Sequence, residues 1–253
     1  MSLKVCSIAS GSKGNCIYVA SGNTELVIDL GISYARAERS IKTLGGSGIE
    51  NILLTHCHTD HFSHVPSALD RGATLYYNAI CRAGVAGLYG KTVETRGRFD
   101  VGDISVMPFS VSHDVPCVGY KLRCGDSKIS VVTDLGCITE ECIDFIKDSG
   151  TILLESNYDE GMLYANPRYP YFLKNRINGI RGHLSNAASS AAVCKLAQSG
   201  VSRIILAHIS GQNNTPDIAL NSCRSALDRI GMLGHILLSV AGQDKPGELC
   251  EVI

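Results

Sequence analysis

Between Thr55 and Phe62 the chain reads His56-Cys57-His58-Thr59-Asp60-His61, three imidazoles and a carboxylate within six residues. With 8 His in 253 residues, an H-x-H-x-D-H arises by chance on the order of once in two thousand such chains. Residues two apart in an extended segment point the same way, so His56 and His58 can reach one metal ion, and a following turn can aim Asp60 and His61 at a second. Imidazole and carboxylate hold Zn²⁺, Mn²⁺ or Fe, and a site with open positions turns bound water into a nucleophile near neutral pH. Further ligands of the same types stand where strand-like runs end: His113 after Ile104–Val111, Asp134 after Ile129–Thr133 and His208 after Arg203–Ala207. A carboxylate such as Asp134 can give one oxygen to each of two cations, so the seven residues predict a dinuclear centre. Cys57, between two metal-facing residues, is expected to point the other way, into the core.

The elements that must position these residues are short and mostly β. Val5–Ala9, Cys16–Ala20 and Leu26–Leu30 are β-branched runs separated by Ser10–Asn15 and Ser21–Thr24, which predicts an antiparallel meander. Ser10–Asn15 lacks the Gly-Lys-Ser/Thr ending of a phosphate loop and reads as a hairpin turn. Ser33 can cap a helix with Ala37, Ile41 and Leu44 on one face, stopped by Gly45. Strands follow at Ile52–Leu54, Thr74–Tyr77, Ile104–Phe109, Val118–Leu122 and Ile129–Val132, with a helix at about 139–148. In the second half, strands at Thr151–Leu154, Arg203–Ala207 and Ile236–Val240 alternate with helices capped by Ser185 and by Thr215-Pro216. Helices falling between strand groups predict two mixed sheets with helices outside them, in a single domain over residues 1–253.

Composition narrows the setting. The 23 basic and 24 acidic residues leave a formal charge of −1, so nothing global demands a polyanion or an anionic membrane. An odd count of 11 Cys, no C-x-x-C pair and a start, MSLKVCS, without an apolar signal core argue for the reduced cytoplasm. Apolar runs such as Ile236–Val240 are far below the ~20 residues of a membrane span. One stretch departs from this balance. Tyr164 to His183 carries Arg168, Lys174, Arg176 and Arg181 with no acid, interleaved with Tyr164, Tyr169, Tyr171 and Phe172, a mixture suited to phosphates and bases.

The hexapeptide, the lone His113, Asp134 and His208 together resemble the ordered motifs of the metallo-β-lactamase fold, with no ligand of that pattern replaced. The resemblance implies an α/β (α+β) four-layer αββα sandwich with metals at one edge: His56, His58 and His113 on the first ion, Asp60, His61 and His208 on the second, Asp134 bridging. Leu153-Leu154-Glu155-Ser156-Asn157 and Arg181-Gly182-His183-Leu184-Ser185-Asn186 are similar to segments of phosphodiesterases of this fold, such as RNase Z and RNase J. By that likeness His183 supplies the proton for the leaving oxygen, and Glu155 holds its imidazole. More closely, Ser7–Asn15, Tyr169-Pro170…Leu173-Lys174…Arg176-Ile177, Gly182–Asn186 and His208-Ile209-Ser210…Asn213-Asn214 resemble the YycJ/WalJ-like group, associated with 5′→3′ exonuclease activity on DNA in the bacterial cytosol.

The expected function is therefore a hydrolase cleaving phosphodiesters, a 5′→3′ DNA exonuclease using metal-bound hydroxide. Two divalent ions, Zn or Mn, are the cofactors. Asp60, His183 and Glu155 are the expected catalytic residues, and Ser185, Asn186, Asn157, Arg176 and Lys174 the substrate-binding ones. DNA is the expected partner in preference to RNA, no membrane is involved, and a further protein can be needed to deliver the substrate. The same metals would also serve a lactonase or thioesterase, a di-iron redox protein with a flavin partner, or a metal-dependent DNA-binding module.

Overall fold

The structure is a computed structural model describing residues 2–253. These residues group into two compact units: one takes the chain up to Ser110, then Val115–Ser127 and Gly242–Val252, and the other takes Val111–Asp114, Lys128–Ala241 and Ile253. The strands form two mixed sheets of seven, flanked by helices.

In the first unit, β1 (Lys4–Ala9), β2 (Cys16–Ala20) and β3 (Glu25–Ile28) pair antiparallel as the expected meander. The direction then changes. β4 (Asn51–Leu54), β5 (Thr74–Asn78) and β6 (Lys91–Thr95) add in parallel, and each parallel step needs a crossover. The crossovers are α1 (Tyr34–Thr43), then the short α2 (Thr59–Phe62) and α3 (Val65–Leu69), then α4 (Arg82–Val85). Ala37 and Ile41 of α1 join Ile8, Ile52, Leu54, Val65 and Leu75 in one buried cluster. At ~1.5–3 kcal/mol for each large side chain fully removed from water, this packing dominates the local stability. Ser33 occupies the N-cap of α1, but its side chain makes no capping bond. Beyond β6 come β7 (Phe99–Val101), β8 (Ile104–Val111) and β9 (Cys117–Cys124), with β7 and β8 antiparallel.

In the second unit, β10 (Ser127–Val132), β11 (Thr151–Glu155), β12 (Arg203–Ala207) and β13 (Leu237–Val240) are all parallel, in that spatial order. Every residue of β11 is buried, as expected for a parallel strand covered on both faces. Five helices make the crossovers: α5 (Glu140–Ile146), α6 (Glu160–Ala165), α7 (Tyr171–Ile177), α8 (Asn186–Gln198) and α9 (Pro216–Arg229). Ser185 accepts from the Ala188 N–H and Thr215 from the Ile218 N–H, so both expected caps form. In an open parallel sheet, functional groups collect outside the carboxyl ends of the strands; here Asp134, Glu155 and His208 occupy the ends of three neighbours. The chain closes with β14 (Cys250–Glu251), antiparallel to β1.

Candidate metal centre

In the first unit the hexapeptide leaves β4 extended and turns into α2, with His58 at its N-cap. The His56 and His58 rings lie 4.7 Å apart between centroids, and those of His56 and His61 lie 4.2 Å apart. Asp60, in the first turn of α2, has a carboxylate oxygen 3.5 Å from His61 Nε2. The sequence-predicted residues His56, His58, Asp60 and His61 thus converge.

Residues outside the motif hold them in place. Asp29 follows β3 at φ 62°, a left-handed conformation that Asp tolerates better than most residues. Its Oδ1 accepts the Thr55 N–H at 2.8 Å, and its Oδ2 accepts both the Thr55 hydroxyl at 2.8 Å and His61 Nδ1 at 2.7 Å. Binding Nδ1 this way fixes the ring and turns Nε2 outward as the ligand atom. Thr55 Oγ1 also lies 3.0 Å from His56 Nδ1, which leaves the same role to its Nε2. Asn15 donates to the Asp60 carbonyl through its backbone N–H at 2.7 Å and its side-chain amide at 3.2 Å, and its Nδ2 lies 2.9 Å from His61 Nε2. The Ser10–Asn15 loop therefore buttresses the motif. Gly31 forms the floor under it: a Cβ there would fall on the Asp60 carbonyl. Cys57 packs against the core, and burial pushes its thiol up to about 11.

In the second unit, Asp134 and His208 stand at φ 58° and 55° just beyond β10 and β12, conformations costing ~1–3 kcal/mol each for non-glycine residues. Such bends aim both side chains back over the strand ends. Glu155, the last residue of β11, lies between them and is wholly buried. Its Oε1 is 2.8 Å from His183 Nδ1 and also 2.8 Å from His208 Nδ1, while its Oε2 accepts the Leu135 and Leu184 N–H groups at 2.9 and 3.3 Å. Burial works to raise the Glu155 pKa, but the His183 charge and the hydrogen bonds from His183 and His208 prevail and hold it well below the usual carboxylate range. One ligand atom from each of Asp134, Glu155, His183 and His208 falls within 4.8 Å of the others.

His113 joins this group, its ring 5.4 Å from His183 between centroids and its Nδ1 3.1 Å from the Gly182 carbonyl. Burial lowers its pKa, favouring the neutral form that binds metal. The side chain of His183 is 23% exposed, against 2% for Asp134, His113 and His208. Among these residues His183 is the one that meets solvent.

The residues expected to touch substrate divide sharply. Asn157, Ser185 and Asn186 are buried. Asn157 donates to the His208 carbonyl at 2.7 Å, Ser185 caps α8, and Asn186 bonds Ser156 and Asn214. Asn214, which the sequence argument left without a role, donates to the carbonyls of Ser156 and Asn157. Lys174 and Arg176 lie nearer the surface of α7. Lys174 donates to the Tyr164 carbonyl at 2.6 Å, and the guanidinium of Arg176 pairs with Asp114. In both units the donors are imidazoles and carboxylates, buried at His56, His61, His113, Asp134, Glu155 and His208 and half-buried at His58, Asp60 and His183, a set that fits divalent cations.

Comparison with known proteins agrees. The model of the metallo-beta-lactamase superfamily matches residues 9–77. Exodeoxyribonuclease YycJ of Bacillus anthracis is 32% identical over 244 residues, 91% of this chain and 91% of its own. Exodeoxyribonuclease WalJ of Streptococcus pneumoniae D39 is 29% identical over 226 residues, 84% of this chain and 83% of its own. The crystal structure of YhfI, a metallo-beta-lactamase fold protein from Bacillus subtilis, superposes with a TM-score of 0.75 over 99% of this chain and 100% of that one, at 13% identity. The chain, with its two mixed sheets and its histidines and carboxylates at strand ends, belongs to the metallo-β-lactamase superfamily of hydrolases, in the group of the exodeoxyribonucleases YycJ and WalJ.

Proposed function

We propose that the protein is a dinuclear metal-dependent phosphodiesterase that shortens DNA from the 5′ end, working as one domain in the cytoplasm. His56, His58 and His113 are assigned to one ion, Asp60, His61 and His208 to a second, and Asp134 to both. Bound there, divalent ions supply an activated water and neutralise the charge that develops on phosphorus.

The observation that carries the reading is the Glu155 carboxylate shared by His183 and His208. A phosphodiester also needs its leaving oxygen protonated. With its Nδ1 on Glu155, His183 keeps a fixed ring and turns Nε2 outward, where a proton can pass to that oxygen. The same carboxylate fixes His208, coupling proton delivery to a ligand. Support for DNA comes from the activity named for YycJ and WalJ, and from Lys174 and Arg176, which remain the proposed phosphate contacts. Asn157, Ser185 and Asn186 act beneath them as positioning residues. All 11 cysteines are free thiols and no helix among the described residues is long and apolar enough to cross a membrane.

The test is a time course on end-labelled single-stranded and duplex DNA with Mn²⁺ or Zn²⁺, beside the Asp134→Ala protein. Metal-dependent shortening from the 5′ end, absent in the variant, is expected. Intact DNA from a protein carrying two metal equivalents would overturn the reading and direct attention to acyl substrates.

A further inference from the structure

Helix α7 buries none of its residues. Tyr171 and Phe172 at its start are 75% and 73% exposed, more than a core or a chance surface position explains for two adjacent aromatics. Their surroundings are built. Lys174 donates to the Tyr164 carbonyl, Asn178 donates to the Tyr164 hydroxyl at 2.8 Å, and Tyr158 donates to Asn178 at 2.6 Å. The α6–α7 pair is thus tied internally while its aromatic faces stay outward.

Residues three or four apart share a helix face, so Tyr171 stands in line with Lys174, and Phe172 with Arg176. Each row begins with a ring and continues with a cation toward the carboxyl end of α7, where the Ile177 carbonyl accepts the His183 N–H at 2.9 Å. Seven residues rise ~10 Å, about the length of three stacked nucleotides. From Tyr164 to His183 there are four cations and no acid in a chain of net charge −1; Arg176 is paired with Asp114 and would exchange that carboxylate for a phosphate, and the local excess of cations favours a polyanion as the occupant.

We infer that Tyr171 and Phe172 form a stacking platform for unpaired bases, with Lys174 and Arg176 meeting the intervening phosphates, so that a single-stranded DNA end is led along α7 to His183. Stacking on exposed rings tolerates any sequence. The inference rests on the phosphodiesterase reading and adds to it the strand form that enters.

The test measures fluorescence anisotropy of the metal-loaded protein with 5′-phosphorylated phosphorothioate di-, tetra- and octanucleotides, together with kcat and KM on single-stranded DNA. The Tyr171→Ala/Phe172→Ala protein is expected to bind the octanucleotide about tenfold or more weakly, to lose the gain of affinity with length, and to show a raised KM with a smaller change in kcat. Tyr171→Phe, which keeps the ring, is expected to bind as the unaltered protein does. Equal affinity and KM in the double variant, beside a wild type that degrades DNA, would overturn the platform alone. A changed sedimentation coefficient with DNA affinity unaltered would overturn it by making this face a contact between copies. A wild-type protein that neither binds nor cuts any oligonucleotide would overturn both readings.

Discussion

The two ligand clusters solve one problem by opposite means. In the first unit the proposed ligands sit within six consecutive residues, and a turn into a four-residue helix brings them together. In the second, Asp134 and His208 stand side by side because parallel strands end together, while His113 arrives from the end of β8 and His183 from the loop between α7 and α8. Their supports differ in the same sense. Asp29 fixes one imidazole and Thr55 at the start of the same motif, whereas Glu155 fixes two imidazoles from distant parts of the chain. A local cluster needs a clamp; a dispersed one needs a hub.

Removing a ligand from the dispersed cluster is the severest challenge. Asp134→Ala is expected to lower turnover about a thousandfold, since charge stabilisation at the reacting group is lost, and to reduce bound metal measured by elemental analysis. Next comes the hub against the clamp. Glu155→Gln keeps the shape but withdraws the charge facing His183 and His208, and should cost about a hundredfold in kcat; Asp29→Asn should cost nearer tenfold in metal affinity, by titration with a chromophoric chelator. Equal losses in both assays would break the distinction. His183→Ala should lose turnover while metal content is retained, and full activity would remove it from proton delivery. Asn214→Ala takes a donor from the Ser156 carbonyl and one of two from the Asn157 carbonyl, which keeps the Ser210 N–H, and should destabilise the protein by ~1–3 kcal/mol in denaturant titration. The smallest effect belongs to the exposed Arg82–Glu94 pair: Glu94→Gln should leave the melting temperature unchanged within error.

The same contrast explains what could be read without coordinates. The hexapeptide was visible because its spacing is improbable, and His113, Asp134 and His208 because each follows an apolar run. The capped helices starting at Asn186 and Pro216 were equally legible. Asp29 was absorbed into the expected strand Leu26–Leu30, although a carboxylate inside Val27-Ile28-Asp29-Leu30 was itself a signal that the strand ends and a buried partner waits. Asn15 carries only a turn signal in the sequence, since no spacing rule connects it to His61 across 46 residues. The strand at Lys91–Thr95 escaped because three of its five residues are exposed and no alternation shows. The helix at Tyr171–Ile177 escaped because it buries no face from which a period could be read.

Gly31 opens an experimental route that none of the ligands offers. Its missing side chain is what lets the Asp60 carbonyl lie where it does, so Gly31→Ala would disarm the first cluster with every metal-binding side chain still encoded. Such a lesion separates the backbone geometry of the motif from the identity of its donor atoms, which a ligand replacement changes together. It also predicts a route to reversal: second-site suppressors should arise in the chain that must move aside, around Asp60, rather than at Gly31 itself.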